Sequence, residues 1–548
     1  MLGNYIEDIK REFTGYGGKK FSKDLMAGLT VAAVALPLAL AFGVGSGASA
    51  ASGLITAIIA GLLIGSLSGA SFQISGPTGA MTAILIVLVH KHGLDGIFIA
   101  TFMAGIMLVL AGIFKLGRII YFIPSSVITG FTSGIAIIIA LGQLDNLFGV
   151  TGQGSLAVAR LFSYFTGGFN PDLPTLAIGL LVIAIMVLWP KRWNAKFPSS
   201  LASLIIVIIL NGILKLDVAL VGEIPKTLFL SDRLSLASLS VNDLRDFFIP
   251  ALSIAALAMI ESLLCGAAAG KLKKEKLNGD RELVAQGIGN LVIPFFGGVP
   301  ATAAIARTSV VIKSGSETRL AGIVHAVVLL LSMFLLAPIM SSIPLSALSG
   351  VLIVTAWRMN DWENIHYIFD HRFKSGIAKF SITMLATVML DLTQAIIIGV
   401  VFSALLIVVR LTDIDITISE VENKRLEEIG ISIPAVPEHI RVAYLTGTIF
   451  FMAVEKLKTQ LSRLDNTSVL ILSMRGVPVL DLSGLQALTE LTVNLREAGT
   501  MVMLTSVQPK VMKKLEQGGL IDIIGENHVF SSAEYAIVYA NEQYLNNN

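Results

Sequence analysis

Long apolar runs separated by short charged stretches fill the chain up to about residue 411, and the pattern then stops. A membrane crossing needs roughly 20 apolar residues. Continuous runs of this kind occupy residues 25–44, 52–67, 97–114, 123–141, 173–189, 201–214, 248–269, 320–343 and 380–408. The last is too long for one crossing, and Asp391-Leu392-Thr393 divides it in two. Shorter runs interrupted by Gly or Pro lie at 72–89, 283–296, 301–312 and 345–357. The pattern predicts a polytopic α-helical membrane protein with 14 transmembrane segments.

Basic residues follow the same count. With the N-terminus inside, they cluster on the cytoplasmic side at 10–23, 115–118, 191–196, 271–281, 313–319 and 358–379. The opposite side receives only Lys91, Arg160, Lys215, Lys226, Arg233 and Arg245. That bias obeys the positive-inside rule and places both termini in the cytoplasm of a cell, that is plasma or inner, membrane. Residues 1–24 are polar, with no signal-peptide pattern, so the first apolar run is retained as a span. Of all residues 54% are hydrophobic and 14% charged, and the mean hydropathy is +0.79. A soluble domain carries about 25% charged residues. The single cysteine, Cys265, excludes an intramolecular disulfide and a multi-cysteine metal site.

Two strings recur at nearly one offset. Gly76-Pro77-Thr78-Gly79-Ala80 resembles Val299-Pro300-Ala301-Thr302-Ala303, and Ile123-Pro124-Ser125-Ser126 resembles Ile343-Pro344-Leu345-Ser346. Segments three and ten, and five and twelve, then correspond. A seven-segment repeat is odd, so the halves have opposite orientation: a 7+7 inverted repeat.

Interrupted segments at matching positions point to a binding site. Segments three and ten each begin with an extended Gly/Pro stretch, 73–77 and 295–300, and proline is tolerated only in a helix's first turn. Each reads either as extended backbone followed by a half-helix, starting near Thr78 and Ala301, or as an ordinary helix kinked at Pro77 or Pro300. Free N–H groups and the positive dipole end make such termini an anion site without a cation. Gly79, Ala80, Ala303 and Ala304 let a ligand approach the backbone; Thr78 and Thr302 add hydroxyls. Glu261, deep in segment eight, costs roughly 3 kcal/mol on insertion scales. It reads either as a structural partner for a buried Arg or hydroxyl, or as a coupling-ion site carrying H⁺ or ligating Na⁺. Arg307 either attracts the anion, pairs with Glu261, or snorkels toward the surface near Lys313. Gln143 and Asp145 read as interfacial, and His325 as an isolated structural residue.

These residues resemble the SulP family of sulfate-permease and prestin-type anion transporters. The matching strings are Asp24-Leu25-Met26-Ala27-Gly28-Leu29-Thr30, Ile74-Ser75-Gly76-Pro77-Thr78, and Gly297 through Thr308. The resemblance implies core and gate domains, elevator-like movement, a homodimer, and a site between the half-helices flanked by segments one and eight. It adds Ala41 and Phe42 from segment one to the pocket, puts Glu261 at the acidic position linked with ion coupling, and matches Arg307 to a basic position near the anion. Leu38 departs from the pattern: many members carry Gln or Glu there. That weakens any transfer of sulfate as the substrate and leaves bicarbonate or a dicarboxylate open.

Beyond the membrane domain, 25–411, a linker is expected over 412–437, marked by Pro434 and Pro437. Residues 438–548 alternate strand-like and helix-like stretches, as in an α/β domain. Val479-Leu480-Asp481-Leu482-Ser483-Gly484-Leu485 resembles the STAS domain. Asp481 or Ser483 can cap the following helix; the resemblance also makes Ser483 a candidate phosphorylation switch and the domain a candidate site for a regulatory protein or nucleotide. No Walker-type loop supports ATP-driven transport. The chain is therefore expected to be a secondary active transporter of small anions by H⁺- or Na⁺-coupled symport. No enzyme chemistry, cofactor, resident metal or nucleic-acid partner is expected. The competing expectations are an uncoupled exchanger or channel-like conductor, and a nucleobase permease, which would lack the STAS domain.

Overall fold

The computed structural model describes residues 2–118, 124–152, 161–164, 169–194, 197–235, 245–390, 392–411, 414–421, 426, 439–461 and 467–547. Arg160, Lys196, Asp391, Pro434 and Pro437 lie outside the described residues. The chain forms two compact units, Met1–Val401 and Phe402–Asn548.

In the first unit a short helix, α1 (Leu2–Glu12), precedes α2 (Gly18–Gly45), α3 (Ala50–Leu67), α4 (Gly79–Ile113) and α5 (Ser125–Gly142). There follow α6 (Leu173–Leu188), α7 (Ser199–Leu214), α8 (Phe248–Lys273), α9 (Gly279–Val292) and α10 (Ile305–Lys313). The series ends with α11 (Leu320–Leu335), α12 (Leu345–Met359), α13 (Lys374–Met389) and α14 (Leu392–Leu411), and the first unit ends within α14, at Val401. Every apolar run read from the sequence overlaps one of these helices, and the run 380–408 spans two. Among the described residues, five stretches are long and apolar enough by length and composition to cross a membrane: Gly18–Gly45, Ala50–Leu67, Gly79–Ile113, Ser125–Phe148 and Phe248–Lys273. Segments three and four are continuous in α4 except at Gly93, whose φ of 67° and ψ of −166° bend the helix; a positive φ is easy only for a residue without Cβ. The long run after Phe380 breaks where expected, with Leu390 extended at φ −117°, ψ −176°.

The internal repeat has the same local geometry at the second of its two matched points. Pro124 (φ −64°, ψ 145°) is the cap of α5, and Pro344 (φ −65°, ψ 139°) the cap of α12. The two interrupted segments meet directly: β1 (Ser75–Gly76) pairs antiparallel with β2 (Thr302–Ala303), Ser75 opposite Ala303 and Gly76 opposite Thr302.

Helices pack closely where both partners are small. A Cβ added at Gly105 of α4 would lie 2.7 Å from the Leu291 nitrogen and 2.9 Å from the Gly287 oxygen. One added at Gly287 of α9 would lie 2.6 Å from the Val109 nitrogen. Backbone contact of this kind is how helices associate where lipid leaves little hydrophobic driving force.

The second unit is an α/β domain. Its sheet has the order β3 (Asp415–Glu420), β4 (Ile440–Thr446), β5 (Val469–Gly476), β6 (Met501–Thr505), β7 (Val529–Phe530), antiparallel at β3–β4 and parallel elsewhere. The expected alternation of strands and helices is present, the helices including Leu482–Glu497, Pro509–Gln517 and Ala533–Asn547. β3 corrects the linker expected over 412–437: its residues belong to the sheet. The signal was the period-two alternation of Ile414, Ile416 and Ile418, of which Ile414 and Ile416 are buried in the domain core. Leu470 and Leu472 of β5 with Val502 and Leu504 of β6 fill one face, and Val469, Ile471 and Met503 the other, as a parallel strand buried on both faces requires.

Candidate functional site

The β1–β2 pair sets the site. β1 leads within two residues to Thr78, whose extended backbone (φ −130°, ψ 160°) and side chain cap α4. The Thr78 hydroxyl accepts the Met81 amide at 3.5 Å. The start near Thr78 is therefore as expected. The second half-helix is different. The chain turns in a 3-10 helix over Ile293–Phe296, passes Gly297 at φ 82°, and stays extended until α10 begins at Ile305 with Ala304 as its cap. The helix start expected near Ala301 is thus four residues late, and the extended stretch expected over 295–300 is displaced with it. The physical reason is that Ala301 has its backbone groups taken. Asn290 Oδ1 accepts the Ala301 N–H at 2.8 Å, and Asn290 Nδ2 donates to the Ala301 carbonyl at 2.9 Å. Thr302 and Ala303 are then held by β1, and the Ala304 amide donates to the Ile74 carbonyl at 2.9 Å.

Because the pairing is antiparallel, α4 and α10 leave the pair in opposite senses with their N-termini nearest each other. Those ends carry unsatisfied N–H groups and positive partial charge. Glu261 of α8 reaches this place: its Oε2 accepts the Thr78 hydroxyl at 2.9 Å. The next residue, Ser262, has its hydroxyl 2.9 Å from that of Thr302 and accepts the Ala303 amide at 3.2 Å. Helix α8 therefore touches both interrupted segments through consecutive residues.

Arg307 is 1% exposed. It does not snorkel; burial in α10 overrides the proximity of Lys313. Its Nη2 donates to the Pro77 carbonyl at 2.5 Å, and Nη1 is buried without a hydrogen-bond partner among the described residues. A Cβ on Gly76 would sit 2.6 Å from that Nη1, so glycine is what admits the guanidinium beside β1.

Of the remaining expected residues, Ala41, Phe42, Ala80, Thr302 and Ala303 are buried, and Ala304 lies at the rim of burial. Phe42 and Gly79 are neighbours: a Cβ on Gly79 would meet Ile139 Cδ1 at 2.6 Å and Phe42 Cε1 at 3.2 Å. This puts the α4 terminus between α2 and α5. Leu38 is buried and apolar. Gln143, expected at the interface, is only 2% exposed because it is packed inside, 3.4 Å from the Ser349 hydroxyl. His325 is buried. In the second unit Asp481, not Ser483, caps the helix Leu482–Glu497, accepting the Gly484 amide at 2.7 Å. It also accepts the Phe451 amide at 3.2 Å.

Sequence reasoning missed two sets of residues. Asp24, fully buried, accepts the amides of Glu317 (2.6 Å) and Thr318 (3.1 Å) and the hydroxyls of Thr318 (2.6 Å) and Tyr16 (2.9 Å). Helix α9 carries Glu282, Gln286 and Asn290, each 0% exposed. Their spacing of four in an apolar run was the available signal.

Residues 21–377 match the sulfate permease family, and residues 433–536 match the STAS domain. YvdB of Bacillus subtilis, provisionally named a sulfate transporter, is 32% identical over 527 residues, 94% of this chain and 97% of that protein. The bicarbonate transporter BicA of Synechocystis is 28% identical over 538 residues, 94% of this chain and 93% of that protein. Among solved structures, the murine anion transporter Slc26a9 in its inward-facing state shares the fold, with a TM-score of 0.81 at 18% identity, covering 95% of this chain and 91% of that one.

Proposed function

Since the chain belongs to the sulfate permease family and is a membrane transporter of anions rather than an enzyme, we propose that it carries a small inorganic anion, sulfate or bicarbonate, together with H⁺ or Na⁺. The observation that carries the reading is the meeting of two helix N-termini across β1–β2 with a carboxylate hydrogen-bonded to one of them. The N-termini of α4 and α10 present backbone donors to the anion, with Thr78 and Thr302 beside them. Gly79, Ala80, Ala303 and Ala304 keep Cβ bulk low, while Ala41 and Phe42 close the apolar wall. Arg307 lies behind β1 and adds positive charge there.

Glu261 supplies the coupling. An ionised carboxylate bonded to Thr78 repels an anion at the α4 terminus. Adding H⁺ to the carboxyl, or Na⁺ between it and the Thr78 hydroxyl, removes that repulsion. Anion and cation then favour each other's binding by the same factor, as linkage requires. Alternating access follows from moving α2–α4 and α8–α11, which carry the site, against α5–α7 and α12–α14.

The test is uptake of labelled sulfate, bicarbonate and fumarate into proteoliposomes under a proton gradient, a Na⁺ gradient or neither, repeated with Glu261→Gln. Gradient-driven uptake that is lost in Glu261→Gln while anion exchange persists supports coupling at this residue and names the substrate. Uptake indifferent to both gradients, with Glu261→Gln fully active, would leave an exchanger or conductor in which Glu261 is structural.

A further inference from the structure

Helix α9 contributes no residue to the pocket, yet it holds both of the strands that form it. Four residues in an α-helix advance the side chain by about 40° past a full turn, so Glu282, Gln286 and Asn290 share one face. Each grips a different piece of irregular backbone. Glu282 Oε2 accepts the Ser68 hydroxyl at 2.5 Å and the Gly69 amide at 3.0 Å, fixing the turn after α3. Gln286 Nε2 donates to the Ser75 hydroxyl in β1 at 2.8 Å and to Glu282 Oε1 at 2.8 Å. Asn290 takes both backbone groups of Ala301, next to β2.

Three features separate this stripe from ordinary buried polarity. Polar side chains in a membrane interior are costly and mark function. The Gln286 carbonyl oxygen is buried without a partner among the described residues: its amide is turned so that the nitrogen faces both Glu282 and Ser75. A leucine would avoid that cost if packing were the whole role. Lastly, α9 is seated on the later half of α4 through Gly105 and Gly287. Helix α9 therefore locates the start of α4 against a part of α4 that is already fixed. Successive strand residues point to opposite faces, so Ser75 turns to α9 while the Gly76 position abuts Arg307.

We propose that Glu282, Gln286 and Asn290 are positioning residues that set the affinity of the anion site by fixing β1 and β2 from behind, without touching the anion. The inference rests on the anion binding at the α4 and α10 termini. The test compares wild type with Gln286→Met, Ser75→Ala and the double variant for uptake of labelled sulfate and bicarbonate in proteoliposomes. Thr78→Val and Thr302→Val serve as site variants in the same assay. Ser75→Ala should raise KM about tenfold, the worth of one hydrogen bond, and Gln286→Met, which also loses the bond to Glu282, at least as much, both at nearly unchanged Vmax. The double variant should be no worse than the worse single one, because both remove one link. Effects that multiply in the double variant, or a lowered Vmax with KM unchanged, would overturn the proposal. If Gln286→Met does not fold, Ser75→Ala carries the same test with one atom removed, and an unchanged KM overturns it. When Thr78→Val or Thr302→Val moves KM and Gln286→Met does not, the proposal fails and the site stands. When none of them moves KM, the site reading fails and takes the proposal with it.

Discussion

The Thr78 hydroxyl joins two functions in one atom: it donates to Glu261 at 2.9 Å and accepts the Met81 amide that opens α4. Charge on the acid and order at the helix terminus are therefore linked. Thr78→Val should cost about 1 kcal/mol as a lost cap and reduce gradient-driven uptake by about tenfold as a lost hydrogen bond to a charged group. Thr78→Ser should restore both. Thermal unfolding in detergent and proteoliposome flux measure the two effects separately.

Helix α1 is held by a buried ion pair. Arg319 donates from its backbone N–H to Glu12 Oε1 at 2.6 Å, and from Nε and Nη2 to Oε2 at 2.9 and 2.8 Å. The two side chains are 6% and 9% exposed. Its Nη1 also donates to the Ser66 carbonyl at 2.7 Å, and the Tyr5 hydroxyl to the same carbonyl at 2.8 Å. Removing one partner strands the other charge, which costs about 3–5 kcal/mol when the pair is buried. Glu12→Ala should lower the unfolding midpoint and speed amide exchange through α1, with Glu12→Asp between it and wild type. Unchanged exchange would show that α1 does not need the pair.

The neighbourhood of Asp24 responds to pH at both extremes. Burial, then the hydrogen bond to Asp24 and its charge, push the Tyr16 hydroxyl up from 10.0 to about 12. A raised pKa means stability that is present below pH 10 and lost as pH rises toward 12. Glu317 is shifted the other way, chiefly by its hydrogen bond from Lys23 at 2.6 Å. Its contribution is present above the usual carboxylate range and lost as pH falls through the lowered value. Tyr16→Phe should remove the alkaline dependence and leave the acid one; melting curves across pH will separate them.

The α4–α9 contact has no room for a side chain. Gly287→Val would drive a branched group into the Val109 backbone nitrogen, where a Cβ alone lies at 2.6 Å. Overpacking typically costs 1–3 kcal/mol, and here backbone rather than a flexible side chain must give. The variant should be poorly folded by size-exclusion profile and melting. Gly212→Ala, whose Cβ meets nothing within 4 Å, should behave as wild type.

Hydrophobic period made most of this molecule legible. Segment positions, the break near Asp391 and the two-part architecture all follow from run length and spacing. The proline strings revealed the repeat because proline constrains backbone directly, and Pro124 and Pro344 do share one geometry. What stayed hidden depended on contacts between distant residues. Nothing local says that Asn290 occupies the Ala301 backbone, so the α10 start was misplaced by four residues. Arg307 was ambiguous because its depth depends on Gly76, 231 positions earlier. Strand β3 was legible in its alternating isoleucines, and was masked by the prolines that follow it.

The Glu12–Arg319 pair spans 307 positions of sequence. A ribosome adds roughly 5–20 residues per second, so Glu12 waits on the order of 15–60 s for its partner to be made. β1 waits in the same way for β2. During synthesis the first helices therefore enter the bilayer with their polar groups unmatched, and the binding site comes into being only when the second half of the chain arrives. Biogenesis of this protein is a problem of holding an incomplete first half, and α1 completes its docking only after Arg319 has been made.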